Sequence, residues 1–283
     1  MDPAPPARYG RAVSPLDDFS SLFGRPRALI GMLHVGALPG TARSREPVDA
    51  LAARAVAEAR AYVDAGFTAL LLENMHDRPY LKGAVGPEIV AAMAAITLEV
   101  RRAVRVPLGV QILAGANHEA LAVALAAGAD FVRVEGFAFA HVADEGVIEA
   151  CAGPLLRYRR AIGADHVRVY ADIKKKHSAH AITSDVSIEE TAHAAEFFLA
   201  DGVIVTGAST GHAASAREVD AVVRAAALPV LVGSGLTAQN LAEYASARGF
   251  IVGSSVKQGG AWSAPLDPAA VAAVARAFEA LPA

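Results

Sequence analysis

The sequence predicts a (β/α)8 barrel, and three observations favour this fold class. Short apolar runs alternate with helical patterns along almost the whole chain, and eight such pairs follow residue 26. The chain of 283 residues suits one barrel of about 250 residues with a short appendage. Polar or glycine-rich groups follow every apolar run, and barrel active sites are built at those positions. We therefore expect an N-terminal arm over residues 1–26 and a barrel over residues 27–283.

The composition is typical of a soluble globular protein. Hydrophobic residues make up 54% of the chain, charged residues 19%, and the formal net charge is -3. The chain has neither a basic stripe nor an acidic tail, so nucleic acid is not an expected partner. The longest apolar stretches, such as residues 120–129, are shorter than the roughly 20 residues that span a bilayer. The first residues do not resemble a secretory signal, and a single cysteine, Cys151, permits no intrachain disulfide, which favours the cytoplasm.

The first half of the chain contains the predicted arm and four strands. Five prolines in residues 1–26 predict a loosely ordered arm outside the core, with one helical turn near residues 17–19. The strands are predicted at residues 28–34, 67–72, 108–112 and 131–134, and the helices between them at 47–65, 87–102 and 117–127. The run at 67–72 is apolar without a break, as in parallel strands that are buried on both faces.

The second half continues the same repeat. Strands are predicted at residues 167–171, 202–205, 229–232 and 249–252, with helices at 154–162, from about 188, at 216–226, at 238–247 and from Pro268. Asn117, Ser187, Thr237 and Asp267 can cap helix N-termini, and Gly66 and Gly128 supply the left-handed residue that ends a helix. Eight βα units in one series exclude a doubly wound sheet with fewer strands.

Every predicted strand ends in a group that could serve a site. In chain order these groups are His34, Glu73 with Asn74, Gln111, Glu135, Asp172 with Lys174, Thr206 with Gly207, and two glycine- and serine-rich loops. Residues two apart on a strand face the same side, so Arg133 shares a side with Glu135. A buried guanidinium needs carboxylate partners to offset its desolvation. We therefore expect Arg133 to lie among Glu73, Glu135 and Asp172.

The loops after the seventh and eighth strands predict a phosphate site. They contain Gly233, Ser234 and Gly235, and Gly253, Ser254 and Ser255. Glycine lets backbone N–H groups approach an anion, and barrels commonly bind phosphate at these two strand ends. A Gly-Ser-Gly sequence can also be only a tight turn, but the second loop favours phosphate. The loop with Thr206, Gly207 and Ser209 could add hydroxyl donors or hold a ribose, so we expect a phosphorylated small-molecule ligand.

The candidate catalytic residues are His34, Glu73, Glu135, Asp172 and Lys174. Glu135 or Asp172 would be a general acid or base, because neighbouring charges shift carboxyl pKa values. His34 is the second candidate for proton transfer, and Lys174 would stabilise negative charge or form a Schiff base. The candidate substrate-binding residues are Asn74, Gln111, Arg133, His177, Thr206, Gly207 and Ser209. No cofactor is required. A divalent metal held by Glu73, Glu135 and Asp172 is an alternative, but no ligand spacing in the sequence demands one.

Each of these assignments has a structural alternative. A carboxylate at a strand end can cap a helix or pair with a surface lysine, and His34 can be a hydrogen-bonded core histidine. Lys175 is expected on a solvated face, while Lys174 and His177 reach the site only if the long loop after the fifth strand folds inward. Cys151 has no base beside it in the sequence, which favours a buried, inert thiol.

Eight short segments together match a known family pattern. They are residues 31–40, 73–74, 109–111, 131–135, 171–173, 175–177, 205–207 and 232–235. Through them the chain resembles the BtpA/SgcQ family over nearly its whole length after the arm. The resemblance implies a ribulose-phosphate-binding type of barrel. The family's cyanobacterial namesake is linked to photosystem I biogenesis and other members to carbohydrate-related contexts, so the resemblance leaves the reaction open.

Three functions are compatible with the sequence. The first is an enzyme acting on a sugar phosphate, nucleotide or similar metabolite by isomerase, lyase or glycosidic-bond chemistry. The intact polar strand ends favour it. The second is a non-catalytic assembly or stability factor that kept an ancestral barrel, for which degenerate strand ends would be expected. The third is a phosphometabolite sensor that signals through its outer helices. Homo-oligomer formation is compatible with all three.

Overall fold

Eight parallel strands close into a barrel in the computed structural model, which describes residues 14–207 and 212–282. The barrel strands are Ala28–His34 (β1), Ala69–Glu73 (β2), Leu108–Gln111 (β3), Phe131–Val134 (β4), Arg168–Ile173 (β5), Gly202–Val205 (β6), Val230–Val232 (β7) and Gly249–Val252 (β8). Strand β8 pairs with β1 in parallel register, which closes the sheet. The predicted (β/α)8 barrel is confirmed.

Eight helices of the described residues surround the barrel, and seven of them lie where the sequence predicts a helix between or after the strands. They are Pro15–Phe23 (α1), Val48–Asp64 (α2), Pro87–Ala103 (α3), Asn117–Ala127 (α4), Ala152–Ala161 (α5), Ile188–Phe197 (α6), Ala216–Ala225 (α7) and Pro268–Glu279 (α8). Side chains of Ser187 and Asp267 accept hydrogen bonds from the first turns of α6 and α8, as expected of N-caps. Asn117 does not cap α4 but lies inside it.

The predicted helix at residues 238–247 is wrong, because only a short 3-10 helix, Leu241–Tyr244, links β7 to β8. The Asn240 side chain accepts a hydrogen bond from the Thr237 amide and donates one to the Gly235 carbonyl. These bonds hold residues 235–240 in a compact turn. A side chain that bonds to nearby backbone groups in this way competes with the helical pattern.

Helix α1 closes the N-terminal end of the barrel. Its side chains Phe19 and Phe23 are buried and belong to the same cluster as Phe131 and Tyr170 of the barrel interior. Arg168 at the start of β5 forms an ion pair with Asp18 of α1. The expectation that residues 1–26 stay outside the core is therefore wrong for α1. The sequence predicted only one helical turn here, because Phe19 and Phe23 become buried only against the end of the barrel and a local pattern does not show that contact.

A small antiparallel sheet lies over the C-terminal end of the barrel and was not predicted. It consists of His141–Ala143 and Gly146–Ile148, from the loop after β4, and Ser178–Ala179, from the loop after β5. Its strands have three, three and two residues, which is too short for a period-two pattern to be recognised.

Alternation along the strands divides the apolar core in two. One layer fills the barrel, with Ile30, Met32, Leu71, Ile204 and Leu231 among its members, and the larger layer lies between barrel and helices. At the C-terminal ends of the strands, the inward-facing side chains are polar and lie at the opening of the barrel. The strand pattern therefore selects which side chains form the site.

Candidate active site

Two adjoining cavities form the candidate site at the C-terminal end of the barrel. The first has a volume of about 200 Å³ and lies beside the ends of β7 and β8. The second has a volume of about 310 Å³ and lies under the loops after β2, β4 and β5. Glu73, Met75 and Lys176 line both cavities, so these three residues mark their junction.

All six residues predicted to bind phosphate line the first cavity. They are Gly233, Ser234, Gly235, Gly253, Ser254 and Ser255. Arg133 and Lys176 line the same cavity and give it two cationic side chains. An anion is the ligand that small-residue loops and two cations favour.

The serine hydroxyls in these loops are not equivalent. Ser234 Oγ accepts a hydrogen bond from the Gly207 amide and donates one to the His212 carbonyl, and Ser255 Oγ donates to the Leu236 carbonyl. Their hydroxyls therefore hold the loops together. Within the described ranges Ser254 Oγ has no protein partner. A ligand would meet Ser254 Oγ and backbone amides rather than the hydroxyls of Ser234 and Ser255.

Several amides in the first cavity are uncommitted. Among the described residues, the N–H groups of Gly235, Leu236, Ser254 and Ser255 donate to no backbone or side-chain acceptor. Ser254 and Ser255 begin a 3-10 turn, whose first amides have no carbonyl within the turn. These donors are available to an anion.

Gly235 is required by the packing of the loops after β6 and β7. Its φ of 66° lies in the left-handed region, and an added Cβ would collide with the backbone of His212 and Ala213. The two loops pack backbone against backbone at this point. A substitution at Gly235 would therefore displace the wall of the first cavity.

Arg133 and Asp172 form a bidentate ion pair inside the barrel. Arg133 Nε donates to Asp172 Oδ2 at 2.9 Å, and Nη2 donates to Oδ1 at 3.0 Å. Both side chains are almost fully buried, as strand parity predicted for Arg133. Because both carboxylate oxygens are engaged, Asp172 orients Arg133 toward the first cavity and is poorly placed to take a substrate proton.

Glu135 faces the second cavity beside Lys175. Lys175 Nζ lies 3.3 Å from Glu135 Oε2 in an ion pair that lacks hydrogen-bond geometry, and no described residue hydrogen-bonds to that oxygen. Burial raises the pKa of Glu135, and the charge of Lys175 opposes the increase. The Asn117 side chain donates to the Glu135 carbonyl at 2.7 Å and so fixes the end of β4. Glu135 is therefore a positioned carboxyl group whose Oε2 lies beside a cation but accepts no hydrogen bond from a described residue.

The three consecutive lysines after β5 have different environments, and the sequence assigned them incorrectly. Lys174 lines neither of the two cavities, and its Nζ donates to the Thr183 carbonyl at 3.1 Å. Lys175, expected on a solvated face, is buried beside Glu135. Lys176, which the sequence analysis did not select, lines both cavities. The chain passes through the left-handed region at Lys174, with φ of 48°, and sequence patterns do not indicate this turn.

Lys176 is the cation at the junction of the cavities. Its backbone amide donates to Thr206 Oγ1 at 3.1 Å, which ties the loop after β5 to the end of β6. In the part of the chain that the structure describes, its side chain forms no ion pair. Burial, followed by the charge of Arg133, lowers the pKa of Lys176, while Glu73 and other carboxylates oppose the decrease.

His34 is buried and neutral at physiological pH. Burial and then the charge of Lys257 lower its pKa to about 3. Nδ1 lies 3.0 Å from the Trp262 carbonyl, so Nδ1 carries the proton and Nε2 presents a lone pair. Nε2 lies 3.8 Å from Glu73 Oε2. With this pKa, His34 can accept a hydrogen bond but is a weak base.

The remaining predicted site residues have different positions relative to the two cavities. Asn74 and Gln111 are buried but line neither cavity, and Asn74 instead bonds to Asp77 and to the Leu113 amide. Thr206 and Gly207 act through the loop contacts described above. His177 lines the second cavity. Ser209 lies outside the described residues.

Part of the wall of the second cavity is aromatic and apolar, and the rest is formed by charged residues and His177. Its lining includes Met75, Tyr80, Leu113 and Trp262. The Arg78 guanidinium lies 4.7 Å from the Trp262 ring centroid, and the Tyr80 hydroxyl donates to the Met75 carbonyl. These contacts hold the two aromatic rings in place, and flat walls of this kind accommodate a ring or a planar group.

A metal site formed by Glu73, Glu135 and Asp172 receives no support from the geometry. Within the described ranges, no group of three His, Cys, Asp or Glu side chains is arranged to hold a metal ion. Asp172 is engaged with Arg133, and Glu135 lies beside Lys175.

Comparisons with known proteins place the chain in a family. A model of the BtpA family matches residues 25–280. The chain belongs to the BtpA family. Photosystem I biogenesis protein BtpA of Synechocystis sp. is 34% identical, over 92% of this chain and 91% of that protein. A protein of Archaeoglobus fulgidus is 40% identical, over 83% of this chain and 93% of that protein.

Another BtpA-family relative bears on cellular location. A protein of Caenorhabditis elegans is 50% identical, over 88% of this chain and 92% of that protein, and its name describes it as mitochondrial. In the described ranges, no helix combines the length and apolar character needed to cross a membrane. The cytoplasmic location expected from the sequence stays a prediction.

Solved structures share the barrel of this BtpA-family chain at low sequence identity. Thiamine phosphate pyrophosphorylase from Pyrococcus furiosus aligns with a TM-score of 0.56 and 18% identity, over 90% of this chain and 97% of that chain. Phosphoribosyl anthranilate isomerase from Thermus thermophilus aligns with a TM-score of 0.55 and 14% identity, over 90% and 100%. At this identity the likeness establishes the fold alone.

Proposed function

We propose that this protein is an enzyme that acts on a phosphorylated small metabolite, a sugar phosphate or a nucleotide. One observation carries the proposal. A cavity at the C-terminal end of the barrel combines two small-residue loops, uncommitted amides and the cations of Arg133 and Lys176. The named solved structures share only the fold, so the proposal depends on this cavity.

The first cavity would hold the phosphate group. Each charge-assisted hydrogen bond to a phosphate contributes about 1.5–3 kcal/mol, so several backbone donors and Ser254 Oγ suffice without a dedicated arginine contact. Arg133 is already neutralised by Asp172 and would act mainly through its remaining N–H groups. Lys176 adds positive potential at the side of the cavity that faces the second one.

The second cavity would hold the rest of the ligand. A ligand with its phosphate beside β7 and β8 would extend past Glu73 and Lys176 toward Tyr80 and Trp262. The volume of about 310 Å³ and the aromatic walls suit a sugar ring, an open-chain sugar or a nucleobase.

Glu135 is the proposed acid–base group. Burial raises the pKa of Glu135 toward neutral pH, which favours proton transfer. Its Oε2 accepts no hydrogen bond from a described residue. His34 would orient a hydroxyl group through Nε2 rather than remove a proton, and Glu73 lies beside it. Asp172 would position Arg133. This division of roles follows from which oxygen and nitrogen atoms are already engaged.

The phosphate proposal is tested by thermal shift with inorganic phosphate, sugar phosphates and nucleotides. Stabilisation by at least one phosphorylated compound is expected, and Ser254→Asp should abolish it because the new carboxylate repels the phosphate. Ser21→Asp is the matched control, since it adds the same charge on α1 at the opposite end of the barrel and should respond like the unaltered protein. No response to any phosphorylated compound would contradict the proposal.

The catalytic proposal has a separate test. Glu135→Gln should retain the thermal response to the ligand that the screen identifies and lose turnover of that ligand. An unchanged turnover rate would exclude Glu135 as the acid–base group.

A second candidate function is a non-catalytic assembly or stability factor. The observation that favours it is the 34% identical relative whose name is Photosystem I biogenesis protein BtpA. A factor of this kind would tolerate Glu135→Gln and Ser254→Asp without loss of its activity. Retained cellular function in both variants would therefore favour this candidate over the enzyme.

A further inference from the structure

We propose that Lys176 is a nucleophile that forms an imine with the carbonyl carbon of a phosphorylated aldehyde or ketone. The inference rests on the proposed phosphate site and goes beyond it by naming the reacting group and the substrate class. It differs from the sequence expectation, which gave a Schiff-base role to Lys174.

The position of Lys176 is the first argument. It is one of the three residues that line both cavities, together with Glu73 and Met75. A ligand with its phosphate in the first cavity and its remaining atoms in the second must pass this junction. The carbons next to the phosphate ester would therefore lie beside Lys176, where a bound substrate gains from proximity to the nucleophile.

The absence of a fixed partner is the second argument. Lys174 Nζ donates to the Thr183 carbonyl, and Lys175 Nζ is paired with Glu135. In the described part of the chain the Lys176 ammonium has neither an ion pair nor a hydrogen bond of its side chain. A partly buried cation with no protein partner costs free energy, and active sites retain such groups because a substrate uses them.

The electrostatic environment is the third argument. Burial and the neighbouring Arg133 charge both disfavour the ammonium form of Lys176. A lysine that is desolvated and close to another cation has more neutral amine at physiological pH, and the neutral amine is the nucleophile. Glu73, Glu135 and Asp172 oppose this effect without reversing it.

The chemical step needs only Lys176, Glu135 and the substrate. The lone pair of the neutral Nζ attacks the carbonyl carbon, the C–N bond forms as the C–O π bond breaks, and the oxygen takes the proton that Nζ loses, which gives a neutral carbinolamine. Glu135 lines the second cavity and, in its protonated form, then donates its proton to the hydroxyl group. The C–O bond then breaks, water leaves, and a protonated imine remains. The imine withdraws electrons from the adjacent carbon, which serves lyase or isomerase chemistry.

Reductive trapping tests the proposal. The protein is incubated separately with dihydroxyacetone phosphate, glyceraldehyde 3-phosphate and ribose 5-phosphate, reduced with sodium borohydride, and mapped by peptide mass spectrometry. We expect one adduct on Lys176 with at least one of these compounds. Lys176→Arg, which keeps the charge, should give roughly tenfold less adduct or none. Lys174→Met is the matched control and should be labelled like the unaltered protein. Glycerol 3-phosphate has no carbonyl group and should give no adduct.

Thermal shift with the same compounds separates the two proposals. Stabilisation by the three carbonyl compounds without an adduct on Lys176 would overturn the imine and leave the phosphate site intact. Equal labelling in Lys176→Arg would also overturn it. An absence of adduct together with no stabilisation by these compounds, by inorganic phosphate, by other sugar phosphates or by nucleotides would refute the phosphate site and the imine together.

Discussion

At the N-terminal end of the barrel, aromatic rings close the interior, whereas at the C-terminal end charged groups line open cavities. The closed end contains Phe19, Phe23, Phe131 and Tyr170, whose ring centroids lie 4.4–6.3 Å apart in the contacting pairs. Such contacts add to the free energy of apolar burial. This end contributes stability through apolar packing.

The C-terminal end leaves polar groups without partners. Among the described residues, Gln111 Oε1 and Glu135 Oε2 are buried without a hydrogen bond, and the Lys176 side chain forms no ion pair. Native proteins leave few such groups, and those that remain concentrate where a ligand or a reaction uses them. One end of the barrel is thus closed by apolar packing, whereas the other leaves polar groups and cavities open to a ligand, and three predictions examine this difference.

The largest expected effect is at Asp172. Asp172→Asn leaves the buried Arg133 without a charged partner and should lower the free energy of unfolding by about 3–5 kcal/mol. Urea denaturation measures the change. The paired variant Arg133→Met with Asp172→Leu removes both charges and should recover most of the loss. If Asp172→Asn unfolds like the unaltered protein, the ion pair does not stabilise the C-terminal end of the barrel.

A somewhat smaller effect is expected at the closed end. Phe19→Ala removes a buried ring from the N-terminal end of the barrel and should lower the free energy of unfolding by about 3 kcal/mol. The thermal response to phosphorylated ligands should not change. Phe197→Ala is the control, since that ring is 80% exposed and its removal should have little effect. A changed ligand response in Phe19→Ala would show that the two ends are coupled.

The smallest predicted effect is a pH dependence from His34. The unfolded chain binds a proton at this residue near pH 6.5, whereas the folded chain does so only near pH 3. Stability from the neutral ring is therefore fully present above pH 6.5 and decreases as the pH falls toward 3. The loss should reach about 2 kcal/mol at pH 5. His34→Gln should lack this part of the decrease, and parallel stability–pH curves for the two proteins would contradict it.

Much of the site follows from strand patterns. The period of two along β4 and β5 predicts that Arg133 and Asp172 face the barrel axis, and the bidentate ion pair confirms that they meet. The positions of the two glycine- and serine-rich loops follow from the strand count, because the seventh and eighth strands are neighbours in a closed barrel. Local patterns suffice here because parallel strands impose a regular geometry.

Loops were predicted less well, for physical reasons. The left-handed residues Lys174 and His177 reverse the chain after β5 and exchange the expected roles of the three lysines. The hydroxyls of Ser234 and Ser255 bond to other loops, which no local signal announces. These outcomes depend on contacts between segments that are distant in the chain.

By itself the sequence determined the barrel, the order of its strands and the inward-facing residues, because periodicity and strand order are properties of the chain alone. Only the tertiary structure decided that Lys176 lines the cavities, that Asp172 forms an ion pair with Arg133, and that α1 closes the N-terminal end of the barrel. Each of these depends on which groups meet after the barrel closes. A charge or a ring acquires its role from its neighbours, and those neighbours come together only in the folded chain.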